Sequence, residues 1–147
     1  PAGQQRIFMY TVKCFKPENK LALGYSFYVL NRGENSGRPS YSPNPNCFVV
    51  STQTEEDRLI LFYACQALHL NGRFRQHLIG SVIVLLRIGD FKDVLNKAYD
   101  SFSKKSEPIS KAVERIDAAY SLIQLTEKKS KAIVKLHRCY LYESFIK

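Results

Sequence analysis

The sequence predicts an α+β protein with a small, mainly antiparallel sheet from its N-terminal half, helices packed against that sheet, and a helical C-terminal portion. Three observations predict this class. Apolar segments with strand-like alternation fill the first third of the chain. A segment with apolar residues at helical spacing follows them. After Pro108 no glycine or proline interrupts the chain.

The size and composition of the chain indicate a folded domain. Its 147 residues are 45% apolar and 24% charged, which suits one domain spanning 1–147. We divide it into an α+β body, 1–107, and a helical portion, 108–147. No apolar run reaches the roughly 18–20 residues of a membrane span, and the N-terminus lacks a signal-peptide pattern. We therefore expect no membrane association.

Three segments have the pattern of strands. In the first, 6–15, every second residue is apolar, which is the alternation of a half-buried strand. The second, Tyr25–Leu30, and the third, Cys47–Thr52, are rich in aromatic or β-branched residues. The apolar positions of the first strand are Phe8, Tyr10, Val12 and Cys14.

A long connection, 31–46, separates the second and third strands. It contains two glycines and three prolines, a density that argues against any regular element. Connections of this length in a compact domain are usually functional or disordered.

The first helix has the clearest signals at its two ends. Thr52 and Glu55 have the spacing of a capping box, and Asn71-Gly72 supplies a left-handed stop. The apolar segment 78–88 allows a strand, an irregular segment or a buried helix, and we favour the first two. A short helix is predicted over 91–102.

Pro108 is placed to begin the next helix. Apolar residues then recur at spacings of four and three residues, but this stripe is lost over 126–131 and a new one begins at Ala132. Either one long helix changes its buried face or two helices meet at 127–130, and we favour two. The first stripe consists of Ile109, Val113, Ile116, Tyr120 and Ile123.

Catalytic and metal-binding patterns find little support in the sequence. The four cysteines lie far apart inside apolar segments, so we interpret them as buried free thiols in a reducing cytoplasm. No short-spaced zinc ligands occur, and we expect no cofactor. A small enzyme that uses the loop 31–38 ranks last among the candidate functions, because no acid–base or metal set is visible. The three histidines (His69, His77 and His137) suit surface or partly buried positions.

The charge balance favours an anionic partner. Lysine and arginine number 22 against 13 acidic residues, for a net charge of +9. Three segments are candidate sites for nucleic acid or another anion, each with a plain structural alternative as a solvated loop or helix face. They are the loop with Arg32, Asn35 and Arg38, the connector with Arg73, Phe74 and Arg75, and the C-terminal helix with Lys128, Lys131 and Lys135.

Two segments carry a resemblance to known proteins. The run from Val29 to Pro39 continuing to Val50, and the run Asn71-Gly72-Arg73-Phe74-Arg75 with Ile79 to Ile83, resemble an uncharacterised family of short bacterial, phage or mobile-element proteins. The resemblance covers about residues 29–89 and supplies no activity. It implies that the two arginine-bearing connectors belong to one unit and that the protein is cytoplasmic.

Two functions compete on this evidence. The first is a non-enzymatic nucleic-acid-binding or accessory protein of a phage or mobile element, in which guanidinium groups from the two connectors converge on an anion such as DNA or RNA. The alternative is a module that binds a protein partner or another copy of itself through a helical apolar stripe.

Overall fold

The computed structural model describes residues 10–18, 24–103 and 109–147, which form four strands and three α-helices. The chain divides into two compact units, Pro1–Ser110 and Lys111–Lys147. In chain order the elements are β1 (Tyr10–Cys14), β2 (Tyr25–Leu30), β3 (Pro39–Ser40), β4 (Cys47–Thr52), α1 (Glu55–Leu70), α2 (Ile88–Ser103) and α3 (Ile109–Phe145). The predicted α+β class is confirmed, while the single domain stays a prediction.

The sheet has the order β1-β4-β2-β3, and every neighbouring pair is antiparallel. The central strand β4 pairs through Val50 with Val12 on one side and Phe27 on the other. All three side chains are buried, as expected where one face of a sheet is covered. Of the predicted first strand, residues 6–9 lie outside the described part of the chain.

Aromatic side chains connect the sheet to the two helices that cover it. Phe27 of β2 meets Phe62 of α1 edge-on at 5.5 Å between ring centroids, and Phe48 of β4 lies 5.4 Å from Phe91 of α2. These four rings are almost fully buried. Burial of a phenylalanine stabilises a fold by about 1.5–3 kcal/mol, so they form the centre of the core.

Helix α1 begins two residues later than the predicted capping box requires. The N-cap is Thr54, whose hydroxyl accepts the Asp57 backbone N–H at 3.1 Å. Thr52 is instead the last residue of β4, and its hydroxyl lies near the carbonyls of Tyr25 and Thr54. The predicted Thr52 cap is therefore wrong. The stop at Gly72 (φ +68°) is as predicted.

The segment 78–88 is irregular rather than a strand. Ile79 and Leu85 form an isolated antiparallel bridge, and the turn between them exposes Val82 almost completely, at 92%. The residues next to this bridge do not pair across it, so the β-branched residues here form no strand. Helix α2 then begins at Ile88, three residues earlier than predicted.

The C-terminal portion is one helix, which corrects the preference for two. α3 continues through 127–130 without a break. Glutamate and lysine in this stretch are good helix formers, and the hydroxyl of Thr126 bonds the Leu122 carbonyl within the helix at 2.8 Å. The stripe changes face because the helix carries two apolar rows, not because its backbone ends.

Two of the four cysteines differ from the predicted burial. Cys47 and Cys65 are buried free thiols, but Cys14 and Cys139 are exposed. Cys14 is exposed because β1 is the edge strand of the sheet. None of the helices that the structure describes combines the length and the apolar character needed to cross a bilayer.

Candidate anion-binding site

The loop that follows β2 is held by backbone hydrogen bonds. Gly37 donates its N–H to the Leu30 carbonyl at 2.7 Å, and Arg38 donates to the Asn35 carbonyl at 3.1 Å. Inside this turn the buried hydroxyl of Ser36 donates to the Gly33 carbonyl at 2.6 Å. The loop is thus an ordered turn, and it presents Asn35 and Arg38 as exposed side chains.

A second set of contacts fixes the far end of this connection. Tyr41 stacks on Phe62 of α1, with 4.2 Å between parallel ring centroids. The Arg58 guanidinium lies 5.2 Å from the Tyr41 ring centre in a cation–π arrangement. Arg58 also pairs with Glu55. The connection is therefore anchored both at its turn and beyond β3.

Phe74 does not belong to the site as a stacking surface, which corrects its predicted role. Its ring is 1% exposed and lies 5.6 Å from the Phe91 ring in a stacked orientation. The Gly37 backbone packs so closely on the Phe74 ring that a Cβ at position 37 would overlap it. Phe74 instead joins the loop, the connector and α2 in the core, so its role is structural.

This packing brings Arg38 and Arg75 to the same place. Both guanidinium groups lie close enough to the His69 ring to lower its pKa. Burial is the largest cause of that lowered pKa, while a hydrogen bond with the Ser36 backbone opposes it. The loop, the end of α1 and the connector therefore bring two exposed arginines within electrostatic range of one imidazole, and we call Arg38, His69 and Arg75 the His69 cluster.

Arg32 and Arg73 have other positions in the body. Arg32 forms an isolated bridge with Leu85, and the neighbouring Gly33 N–H donates to the Val84 carbonyl at 2.7 Å. Arg73 lines a groove between α1 and α2. Arg73 and Arg75, on either side of the buried Phe74, have different surroundings, and the two arginines whose charges act on His69 are Arg38 and Arg75.

The charge around His69 is positive and unneutralised. Within residues 24–103, no carboxylate forms an ion pair with Arg38 or Arg75. Glu34 is exposed in the same turn but makes no such pair. Two cations that lie near one imidazole without a counter-ion create a place where a phosphate or carboxylate is favoured.

The third predicted segment forms a basic row on α3. Lys131, Lys135 and Arg138 line one shallow surface groove with Ser130 and Val134. Lys128 lies one turn before Lys131 on the same side, at the i, i+3 spacing of helical neighbours. All four side chains are exposed. The row suits contact with successive phosphates.

The buried thiols offer no nucleophile to this site. Burial raises the pKa of both Cys47 and Cys65, so both are protonated at neutral pH. Cys47 donates to the Asn44 carbonyl at 2.8 Å. Over the described residues no three histidine, cysteine, aspartate or glutamate side chains are grouped to hold a metal ion.

His69 is the site residue that sequence reasoning missed. His69 looks like an ordinary residue of an amphipathic helix, and its importance depends on a loop more than thirty residues earlier in the chain. One signal was available: a histidine in the last turn of a helix lies beside whatever follows the stop. Here that is the connector with Arg75.

The comparisons with known proteins give a family and no activity. A model described as a family of unknown function (DUF6943) matches residues 12–143. The chain therefore belongs to this family, and the match includes both arginine-bearing connectors and nearly all of α3. No curated protein and no solved structure matches the chain significantly.

Proposed function

We propose that this member of the DUF6943 family is a non-enzymatic nucleic-acid-binding protein that grips phosphates with exposed arginines and lysines. One observation supports it most: Arg38 and Arg75, from connectors far apart in the chain, both act electrostatically on His69, and neither has a carboxylate partner among the described residues. Placing like charges together costs free energy unless an anion sits between them.

The basic row of α3 supplies further phosphate contacts in this proposal. Lys128, Lys131, Lys135 and Arg138 extend over ten residues, or about 15 Å along a helix. A nucleic-acid strand rises about 3.4 Å per nucleotide. The row therefore matches four or five nucleotides. These contacts carry no base information, so we expect weak sequence preference.

Fluorescence anisotropy with labelled single-stranded DNA, RNA and duplex DNA tests the proposal. The Arg38→Gln/Arg75→Gln variant should bind about tenfold more weakly than the native protein at about 100 mM salt, because each charge-assisted hydrogen bond to a phosphate is lost. Lys13→Gln/Lys16→Gln is the matched control. It removes the same charge at exposed positions in and just after edge strand β1.

The control pair should weaken binding less than about twofold, since it changes only the long-range field. Equal losses in the two double variants would show that net charge, not the His69 cluster, holds the anion. Absence of binding by the native protein at about 50 mM salt would end the proposal.

The biological setting is part of the same proposal. We place the protein in the cytoplasm of a bacterium, as an accessory factor of a phage or mobile element. The resemblance of the two connector segments and the buried free thiols support this setting. The genes that flank family members test it, and a prevalence of ordinary chromosomal neighbourhoods would contradict the mobile-element origin.

A second candidate function is self-association through α3. Large apolar side chains between 49% and 70% exposed lie on one face of this helix, in two groups separated by Lys129: Leu122 and Leu125, then Ile133, Leu136 and Tyr140. Rows at three- and four-residue spacing are typical of helix–helix seams. Light scattering on Leu125→Glu/Leu136→Glu tests it, and a native protein that stays monomeric at every concentration rules it out.

A further inference from the structure

A groove of about 690 Å³ lies in the body between the end of α1, the connector and α2. It is separate from the His69 cluster, because Arg73 rather than Arg75 lines it. Its volume falls within the range of sites that hold small molecules, roughly 300–1,000 Å³. Neither the His69 cluster nor the basic row of α3 uses it.

Short side chains keep this groove open. Ala67 of α1 and Ala98 of α2 line it, together with Ser101 one turn beyond Ala98. The Ser101 hydroxyl donates to the Lys97 carbonyl of its own helix at 3.1 Å and so lies against the backbone. Larger residues at these positions would close the space between the helices.

The lining combines an apolar wall with positive charge. Leu68 and Val94 are half-buried and supply the wall, and Arg73, His77 and Lys97 supply nitrogen donors. None of the described residues that line this groove is acidic. A ligand that fits has both an apolar face and an anionic group.

Amide side chains narrow the ligand class further. Gln76 and Asn71 lie in the lining, and the Asn71 amide nitrogen already donates to the Ala67 carbonyl at 2.7 Å. The Gln76 amide nitrogen lies 3.4 Å from His77 Nε2, so the side-chain carbonyl oxygens of Asn71 and Gln76 remain for a ligand. Asparagine and glutamine pair with the hydrogen-bonding edges of nucleobases, whereas an alkyl chain would leave them without partners.

We propose that the groove binds a nucleoside monophosphate unit, free or within a single strand, with the base against Leu68 and Val94 and the phosphate on Arg73 and Lys97. This inference rests on the proposed function for its choice of ligand. It extends that function by naming a position that holds one unpaired base, which duplex DNA supplies only when a base is flipped out of the stack.

Calorimetric titration of the full chain with nucleoside 5′-monophosphates, nucleosides and inorganic phosphate tests this site. We expect the nucleotides to bind at least about tenfold more tightly than phosphate, because only they use the apolar wall. Lys97→Gln should weaken nucleotide binding about three- to tenfold. Lys92→Gln, an exposed lysine on α2 outside the lining, is the matched control and should leave it unchanged.

Ala98→Phe provides a second test that leaves charge unchanged. It should abolish nucleotide binding by filling the groove, and circular dichroism checks that the variant folds. Nucleotides that bind no more tightly than phosphate would overturn the inference. Equal affinities for Lys97→Gln and Lys92→Gln would overturn it as well, and this comparison does not depend on the folding of Ala98→Phe.

The two proposals fail in different ways. If oligonucleotides do not bind but nucleotides bind through Lys97, the proposed function falls and the groove takes a free nucleotide. If single strands bind and compete with nucleotides, the nucleotide unit that occupies the groove belongs to a single strand. If oligonucleotides bind and neither groove variant changes any affinity, the groove inference falls while the proposed function stands.

Discussion

At the scale of single residues, the contact between Gly37 and Phe74 decides how the site is built. The glycine has a φ of +97°, and its backbone lies on the aromatic ring. This contact holds the loop against the connector and thereby places Arg38 near Arg75. The sequence shows the glycine and the aromatic residue but not their meeting, because thirty-seven positions separate them.

Gly37→Ala should destabilise the protein by about 3 kcal/mol, since it adds an overlap with the Phe74 ring to the strain of a positive φ. Gly33→Ala is the matched control. Gly33 also has a positive φ, +90°, but open space surrounds its Cβ position, so about 1–2 kcal/mol is expected. Urea unfolding measures both, and equal losses would contradict the contact.

His69 gives the protein a pH dependence with a definite sign. Its pKa in the fold is lowered from 6.5, so the unfolded chain binds the proton more readily. Stability contributed by this group is therefore fully present above pH 6.5, and it is lost as the pH falls from 6.5 through the lower pKa of the folded state. His69→Gln should remove this loss. Urea unfolding of both proteins at neutral and mildly acidic pH measures this loss. An equal loss of unfolding free energy in the native protein and in His69→Gln would contradict the assignment to His69.

At the scale of elements, prediction succeeds where the signal is local. β2, β4 and the end of α1 follow from residue types and turn chemistry within each segment. β3 was missed because a two-residue strand with a proline is defined only by its partner, Tyr28 to Val29. The same limit applies to Phe74: an aromatic residue between two arginines is compatible with a stacking surface or with a core position, and α2 decides between them.

The start of α1 provides a direct test of its observed cap. Thr54→Ala should cost about 1 kcal/mol, because the Asp57 N–H loses its acceptor. Gln53→Ala, at the exposed neighbouring position, is the control and should have little effect. Thermal unfolding compares them. A larger effect at position 53 than at 54 would contradict this assignment of the cap.

The continuity of α3 is testable at its middle. Ser130→Pro should cost the helix about 3 kcal/mol and reduce the helical circular dichroism signal. Ser130→Ala should preserve that signal. If the proline variant keeps its full signal, a break already exists near residue 130, and the sequence-based preference for two helices was right.

At the scale of the whole molecule, the two units each carry a cluster of positive charge. The body presents Arg38 and Arg75, and α3 presents its row of four cations. If one nucleic acid contacts all six, the logarithm of affinity should fall with a slope of about −5 against the logarithm of salt. That slope corresponds to roughly a thousandfold loss between about 50 and 200 mM salt.

Anisotropy titrations over this salt range measure the slope. A value near −2 would mean that the body alone contacts the nucleic acid, and a value near −4 would assign the contacts to α3 alone. Lys131→Gln/Lys135→Gln should reduce the magnitude of the slope by about 2. An unchanged slope in this variant would exclude the row from the interface.

The position of β4 between β1 and β2 also affects how the protein is made. In the part of the chain that the structure describes, β1 has no neighbour in the sheet other than β4, so it cannot pair until the ribosome has released the chain through Thr52. During that interval β2 can already pair with β3, but the apolar residues of β1 stay unpaired in a nascent chain, at a stage when aggregation and chaperone binding compete with folding.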